Sequence, residues 1–493
     1  MSSSSGPTAD APRRSAARGA FVYLAMLVVS IGLFFGIRHV GEEAAAARAN
    51  DQAATASQAV GSAGTSETAI AKPPKPKKLD IVLHVLVALV AVIVVGNLLG
   101  RLCQLIGQPR VIGEILAGIA LGPSLLGVVW PEAQAFLLPG PDVDPGKQVF
   151  AALQIISQLG VILYMFLVGL ELNGARLRHQ AHAAVAISHA SILLPFTLGA
   201  ALALWLHADL APAGVSFTSF ALFLGTAMAI TAFPVLARIL TDRKMEKTPL
   251  GVLALGCAAT DDVTAWCILA VVVGIAGSDP GQGPVTILWA SVYVAAMLLI
   301  VRPFAARWLR RFEAAPLTPI ATAIVLAAVL ASALATEAIG IHAIFGAFLL
   351  GAIIPADSRA ASEFHAKLHD AATILLLPAF FALTGMRTRI ALVEGWENWL
   401  ICGVVVATAT VGKFAGSLFA ARAMGMTWRD SGVIGALMNT RGLMELIVLN
   451  VGLDLGVISP TLFAMMVVMA LATTLMTAPL LRLFMPRETA AVA

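Results

Sequence analysis

Asp261 and Asp262 stand side by side inside the apolar run Leu250 to Gly274. A single aspartate at the centre of a bilayer-spanning helix costs roughly 2.5 to 3.5 kcal/mol on insertion scales, so two in succession ask for a reason beyond packing. In a low dielectric two neighbouring carboxylates cannot both ionise cheaply, which lets them trade protons for a positive ion. Thr260 precedes the pair, and Thr231 lies in an earlier segment; carboxylate, hydroxyl and backbone carbonyl are hard oxygen ligands suited to an alkali cation. A transition metal would call for histidine or cysteine, and Cys257 and Cys267 flank the acids at a spacing that does not converge on them. The metal expected at Asp261 and Asp262 is therefore Na+ or K+, held transiently.

Two further apolar segments are interrupted. In Gly225 to Arg238, Pro234 removes a backbone donor and clashes with the preceding turn, which frees carbonyls near Ile230 and Thr231. In Gly435 to Asn450 the interruption is Asn439, Thr440, Arg441 and Gly442, and Glu445 follows one turn beyond Arg441 on the same helix face. Unwound backbone at membrane depth is tolerated where protein, water or an ion satisfies it. One interruption falls in each half of the chain, as expected of transporters built from inverted repeats around a midplane site. The positive charge of Arg441 can offset helix C-terminal dipoles that point inward. Lys413, charged at depth, is expected to snorkel or to pair with a carboxylate. Glu114 is read as a solvated helix start and His342 as a hydrogen-bonded core residue.

The elements that must carry these residues are membrane helices. With 59% hydrophobic and 12% charged residues in 493, a water-soluble protein is excluded. From Asp80 onward there are about thirteen apolar segments of spanning or near-spanning length. The predicted fold is an all-α polytopic membrane protein with these thirteen helices, one additional N-terminal hydrophobic helix, and two inverted repeats with two broken, crossing helices. Arg101 and Arg110, Arg176 and Arg178, Arg238 to Lys247, Arg302 to Arg311, Arg359 and Lys367, Arg422 and Arg429, and Arg482 and Arg487 occupy alternate loops, which puts those loops and the C-terminus in the cytoplasm of a multi-pass cell-membrane protein. Arg387 and Arg389 break the pattern by facing outward. The basic residues fall in short clusters that report orientation, so no nucleic-acid partner is implied.

Four regions follow. Residues 1–40 hold the hydrophobic segment Phe21 to Ile37, an extra span or a signal peptide; 41–79 form an Ala/Pro/Lys linker with no means of building a core; 80–485 are the membrane domain; 486–493 are a short tail.

Gly107 to Gly118, Leu121 to Ser124, Phe166 to Leu172, Ile230 to Arg238, His342 to Phe348 and Leu437 to Leu446, in this order, resemble the monovalent cation:proton antiporters, most closely the branch of plant and fungal cation/proton exchangers. The resemblance implies two inverted five-helix repeats, a dimerisation domain and a mobile core where broken helices cross beside the acidic helix. It implies that Asp262 alternately binds cation and proton, and that Thr231 sits at the first break. Asp261, where many relatives carry Asn or Gln, implies more than one proton per cation. Electrogenic relatives pair that first Asp with a lysine; none occurs in Ile374 to Gly385, which leaves Arg387 as the substitute.

The expected function is antiport of Na+ or K+ against H+ at the Asp pair, by an elevator-like motion, in a homodimer embedded in lipid. No cofactor and no nucleotide-binding regulatory domain are expected, and the chain is not expected to be an enzyme. A proton-coupled symporter would need a roomier site selecting an organic solute. An intramembrane aspartyl protease would need its two acids on separate helices, whereas adjacent residues point about 100° apart on one helix.

Overall fold

The computed structural model describes residues 25–48, 81–137, 146–171, 181–245, 248–276, 282–313, 316–340, 342–356 and 358–485. Among them every regular element is helical. The principal helices are α1 (Ala25–Arg48), α2 (Ile81–Leu105), α3 (Arg110–Leu121), α4 (Gly146–Glu171), α5 (Ala181–Leu210), α6 (Phe217–Ala229), α7 (Phe233–Asp242), α8 (Pro249–Ala276) and α9 (Gln282–Ala296). They continue with α10 (Pro319–Ile339), α11 (Ala343–Ile353), α12 (Arg359–Asp370), α13 (Leu377–Arg387), α14 (Gly395–Ala423), α15 (Trp428–Met438), α16 (Leu443–Asp454) and α17 (Pro460–Phe484). Among the described residues ten helices, some of them continuous runs of these elements, are long and apolar enough to cross a membrane. Large apolar side chains such as Val90, Val94, Leu98, Leu299, Ile300 and Phe304 point outward, as lipid requires and water would penalise.

The passages sort by packing into two bodies. In the first, α5 packs on α6, α8 and α14, and α14 packs on α15 and α17. In the second, α4 packs on α11 and α13, α3 packs on α2 and α13, and α10 packs on α11. Glycines let α3 and α13 approach closely: a Cβ on Gly385 would collide with the backbone of Gly118. The first body has a repeated plan. A long helix, a broken pair and a second long helix run as α5, α6/α7, α8, and again as α14, α15/α16, α17.

Capping side chains start several helices. Ser216, Thr427 and Ser459 each accept the backbone N–H three residues on, at the heads of α6, α15 and α17.

The N-terminal helix α1 ends later than the sequence suggested, running through Arg48 into the stretch read as linker. Alanine-rich residues 44–47 favour helix, and Arg38 pairs with Glu42 one turn on at 2.9 Å. The helix lies against the first body: Phe34 meets Phe196 of α5 at 5.7 Å between ring centroids, and Glu42 accepts a hydrogen bond from Thr218 of α6. The rest of the expected linker, including Lys72 to Lys78, and the tail 486–493 lie outside the described residues.

Candidate ion site

The two broken helices cross at their breaks. Helix α6 stops at Ala229, Ile230 is extended, and α7 begins at Phe233; α15 stops at Met438 and α16 begins after Gly442. The backbone N–H of Ala232 donates to the carbonyl of Thr440 at 3.0 Å, joining one break to the other. Gly442 has φ of 157°, and a Cβ there would press on Val235 across the crossing.

The first break lies upstream of where Pro234 alone would put it. Pro234 occupies the first turn of α7, where a missing N–H costs nothing. The freed carbonyls are those of Ala227, Met228 and Ala229, a turn before Ile230 and Thr231. Positive charges cover them: Arg441 donates to Ala227 O at 3.0 Å and to Met228 O at 2.5 Å, and Lys413 donates to Ala229 O. This arrangement sets two cations against the negative end of a half-helix.

Asp261 and Asp262, both buried on α8, have opposite surroundings. Asp261 is filled with donors. Its Oδ2 lies 2.8 Å from Lys413 Nζ, 2.6 Å from Thr231 Oγ1 and 2.9 Å from Ser191 Oγ, and its Oδ1 accepts from Ser188 Oγ at 2.5 Å. Asp262 is bare: neither of its oxygens has a hydrogen-bond partner.

Lys413 of α14 therefore meets Asp261, so the lysine missing from Ile374 to Gly385 is supplied by a different helix. Arg387 is not its substitute. Its guanidinium donates to Asp454 at 2.8 Å and Asn450 at 3.0 Å, both on α16. Asp454 neutralises Arg387 locally, which lets it stand where the alternation of basic loops does not expect a positive charge.

Other expected residues divide. Arg441 and Glu445 face each other at 3.4 Å, both fully buried. The Glu445 oxygens accept no hydrogen bond. Asn439 donates to Thr473 O and Thr440 shares a contact with Thr477, so the second break leans on α17. Thr260 does not join the acids; its hydroxyl donates to Gly256 O one turn back on its own helix.

Two readings from sequence need correction. Glu114 is not a freely solvated start, since its side chain is 15% exposed and pairs with Arg110 at 3.1 Å. His342 is not fully hydrogen-bonded: its Nδ1 is buried without a partner. His342, Gln158, Arg387 and Asp454 are among the residues that line a cavity of about 60 Å³ between the two bodies. Sequence reasoning missed Ser188 and Ser191. Their spacing of three on an apolar helix was the one signal available, and serines are common in membrane helices.

A helical membrane protein with crossed broken helices and buried acids at the crossing defines a class of ion-coupled carriers. The family described as "Sodium/hydrogen exchanger, transmembrane" matches residues 82–483, and the chain belongs to it. It is a transporter and not an enzyme. The chain is 44% identical over 405 residues to the Na(+)/H(+) antiporter NhaS4 of Synechocystis, covering 81% of this chain and 97% of the relative. It is 39% identical to Cation/H(+) antiporter 18 of Arabidopsis thaliana, covering 79% of this chain and 48% of that one. It is 30% identical to K(+)/H(+) antiporter 1 of Saccharomyces cerevisiae, over 80% of this chain and 46% of that one. The chain thus spans about half the length of these plant and yeast relatives. Among solved structures, the sodium proton antiporter MjNhaP1 of Methanocaldococcus jannaschii shares the fold, with a TM-score of 0.61 at 13% identity over 81% of this chain and 96% of that one.

Proposed function

We propose that the chain exchanges a monovalent cation, Na+ or K+, for protons, with Asp262 as the carboxylate that holds each in turn. The observation that carries this reading is the contrast between the neighbours: Asp261 has four donors, while buried Asp262 has none. A buried carboxylate without partners is costly, and either a proton or a cation relieves that cost. One carboxylate serves both, so binding of one displaces the other.

Thr231 sits at the first break beside Asp261, and the cap of Arg441 and Lys413 holds the half-helix end in place. The first body moves against the second in an elevator-like step, carrying the crossing from one side of the membrane to the other. Two copies pair through the second body. The protein resides in the cell membrane with its C-terminus in the cytoplasm.

The test is proton movement reported by a pH dye in everted vesicles, on adding Na+ or K+, for the native chain and for Asp262→Ala. Proton release on cation addition that disappears in the variant is expected, and the effective ion is the substrate. Release that persists in Asp262→Ala removes that residue from the site, and no response to either cation moves the reading to proton-coupled solute symport.

A further inference from the structure

Ser188 and Ser191 stand three residues apart on α5, so both hydroxyls face the same way. They face Asp261. Ser188 donates to Oδ1 at 2.5 Å; Ser191 Oγ lies 2.9 Å from Oδ2 and 3.4 Å from Lys413 Nζ, which donates to it. Both serines are fully buried, as are Asp261 and Lys413. Lys413 and Thr231 approach Oδ2, so the bond to Oδ1 comes from α5. The α5 hydroxyls therefore set which way the carboxylate turns.

We propose that Ser188 and Ser191 are positioning residues of the exchange: they hold Asp261 turned toward α5 and Lys413, so that the cation meets Asp262 alone. The inference rests on the reading of Asp262 as the carrier. A cation held by one carboxylate is released readily, as a carrier requires. Without the serines, Asp261 has spare lone pairs and shares the ion with Asp262, which tightens binding and slows release.

The test uses the full chain in proteoliposomes, with pH-dye transport measured across a Na+ and a K+ titration. In Ser188→Ala/Ser191→Ala the apparent KM for the transported cation falls by at least about threefold and the maximal rate falls with it, the scale expected when hydrogen bonds to a charged group are lost. In an Asp261→Asn background the same two substitutions leave KM where it was, because the serines act through Asp261. Ser191→Thr, which keeps the hydroxyl, returns KM toward the native value.

An unchanged KM in an active double variant overturns the proposal. So does an equal change in the Asp261→Asn background. Should the double variant fail to elute as a single folded species, Ser191→Ala alone must shift KM in the same direction, and an unshifted KM there is equally fatal. Transport that persists in Asp262→Ala overturns the parent reading, and the serine role falls with it. A normal Asp262→Ala loss with unshifted serine variants overturns the serine role only.

Discussion

At the scale of single residues, Lys413 and Asp261 form a fully buried ion pair. Removing one partner of such a pair strands the other charge, at a cost of about 3 to 5 kcal/mol. Lys413→Met should therefore lower the thermal unfolding midpoint in detergent, and Lys413→Met/Asp261→Leu should recover most of the loss. A double variant no more stable than the single one would show that the pair is not what Lys413 holds. The acids were legible in the sequence because charge inside an apolar run stands out. Lys413 stood out for the same reason, but its partner lies 152 positions away on another helix, and no local pattern names it. The hydroxyls of Ser188 and Ser191 were marked only by their spacing, a weak signal because a serine in a membrane helix more often bonds its own backbone.

At the scale of elements, the fold depends on how helices end. Both interruptions were visible, yet the first lies before Pro234, because proline is welcome in the first turn of a helix and the stop belongs to the end of α6. The side chains that satisfy that end, Arg441 and Lys413, come from distant elements, so sequence could not fix which carbonyls they cap. Arg441→Ala leaves Ala227 O and Met228 O without their donors and should cost about 1 to 3 kcal/mol per orphaned group, read as a lower unfolding midpoint.

The link from α13 to α16 joins the two bodies. Arg387 bonds Asp454 and Asn450, and Asn450 donates to Thr384 at 3.1 Å. Arg387→Ala should loosen that closure. A cysteine placed at Gln158, at the cavity wall, in a background without native cysteines, should then react faster with a membrane-impermeant thiol reagent. An unchanged labelling rate would mean that the link does not guard the cavity.

At the scale of the whole molecule, the all-helical membrane architecture was legible because lipid tolerates few alternatives. The sorting of passages into two bodies was not, since it depends on which faces meet. The topology is testable: a fluorescent reporter fused after Met485 should be bright in the cytoplasm, and a dark one would invert the orientation.

Among the described residues five ionic side chains are buried, Lys413, Arg441, Asp261, Glu445 and Asp262, and at their ordinary charges they sum to one unit negative. A proton or a monovalent cation on Asp262 brings the sum to zero. On the proposed mechanism this buried set is electrically neutral with either passenger and charged only when it is empty. Carrying an uncompensated charge through a low dielectric is steeply unfavourable. On that mechanism the empty return, which would turn exchange into a leak, would be the crossing this arrangement suppresses, and the same balance would make a one-for-one swap electrically silent for as long as Lys413 keeps its proton.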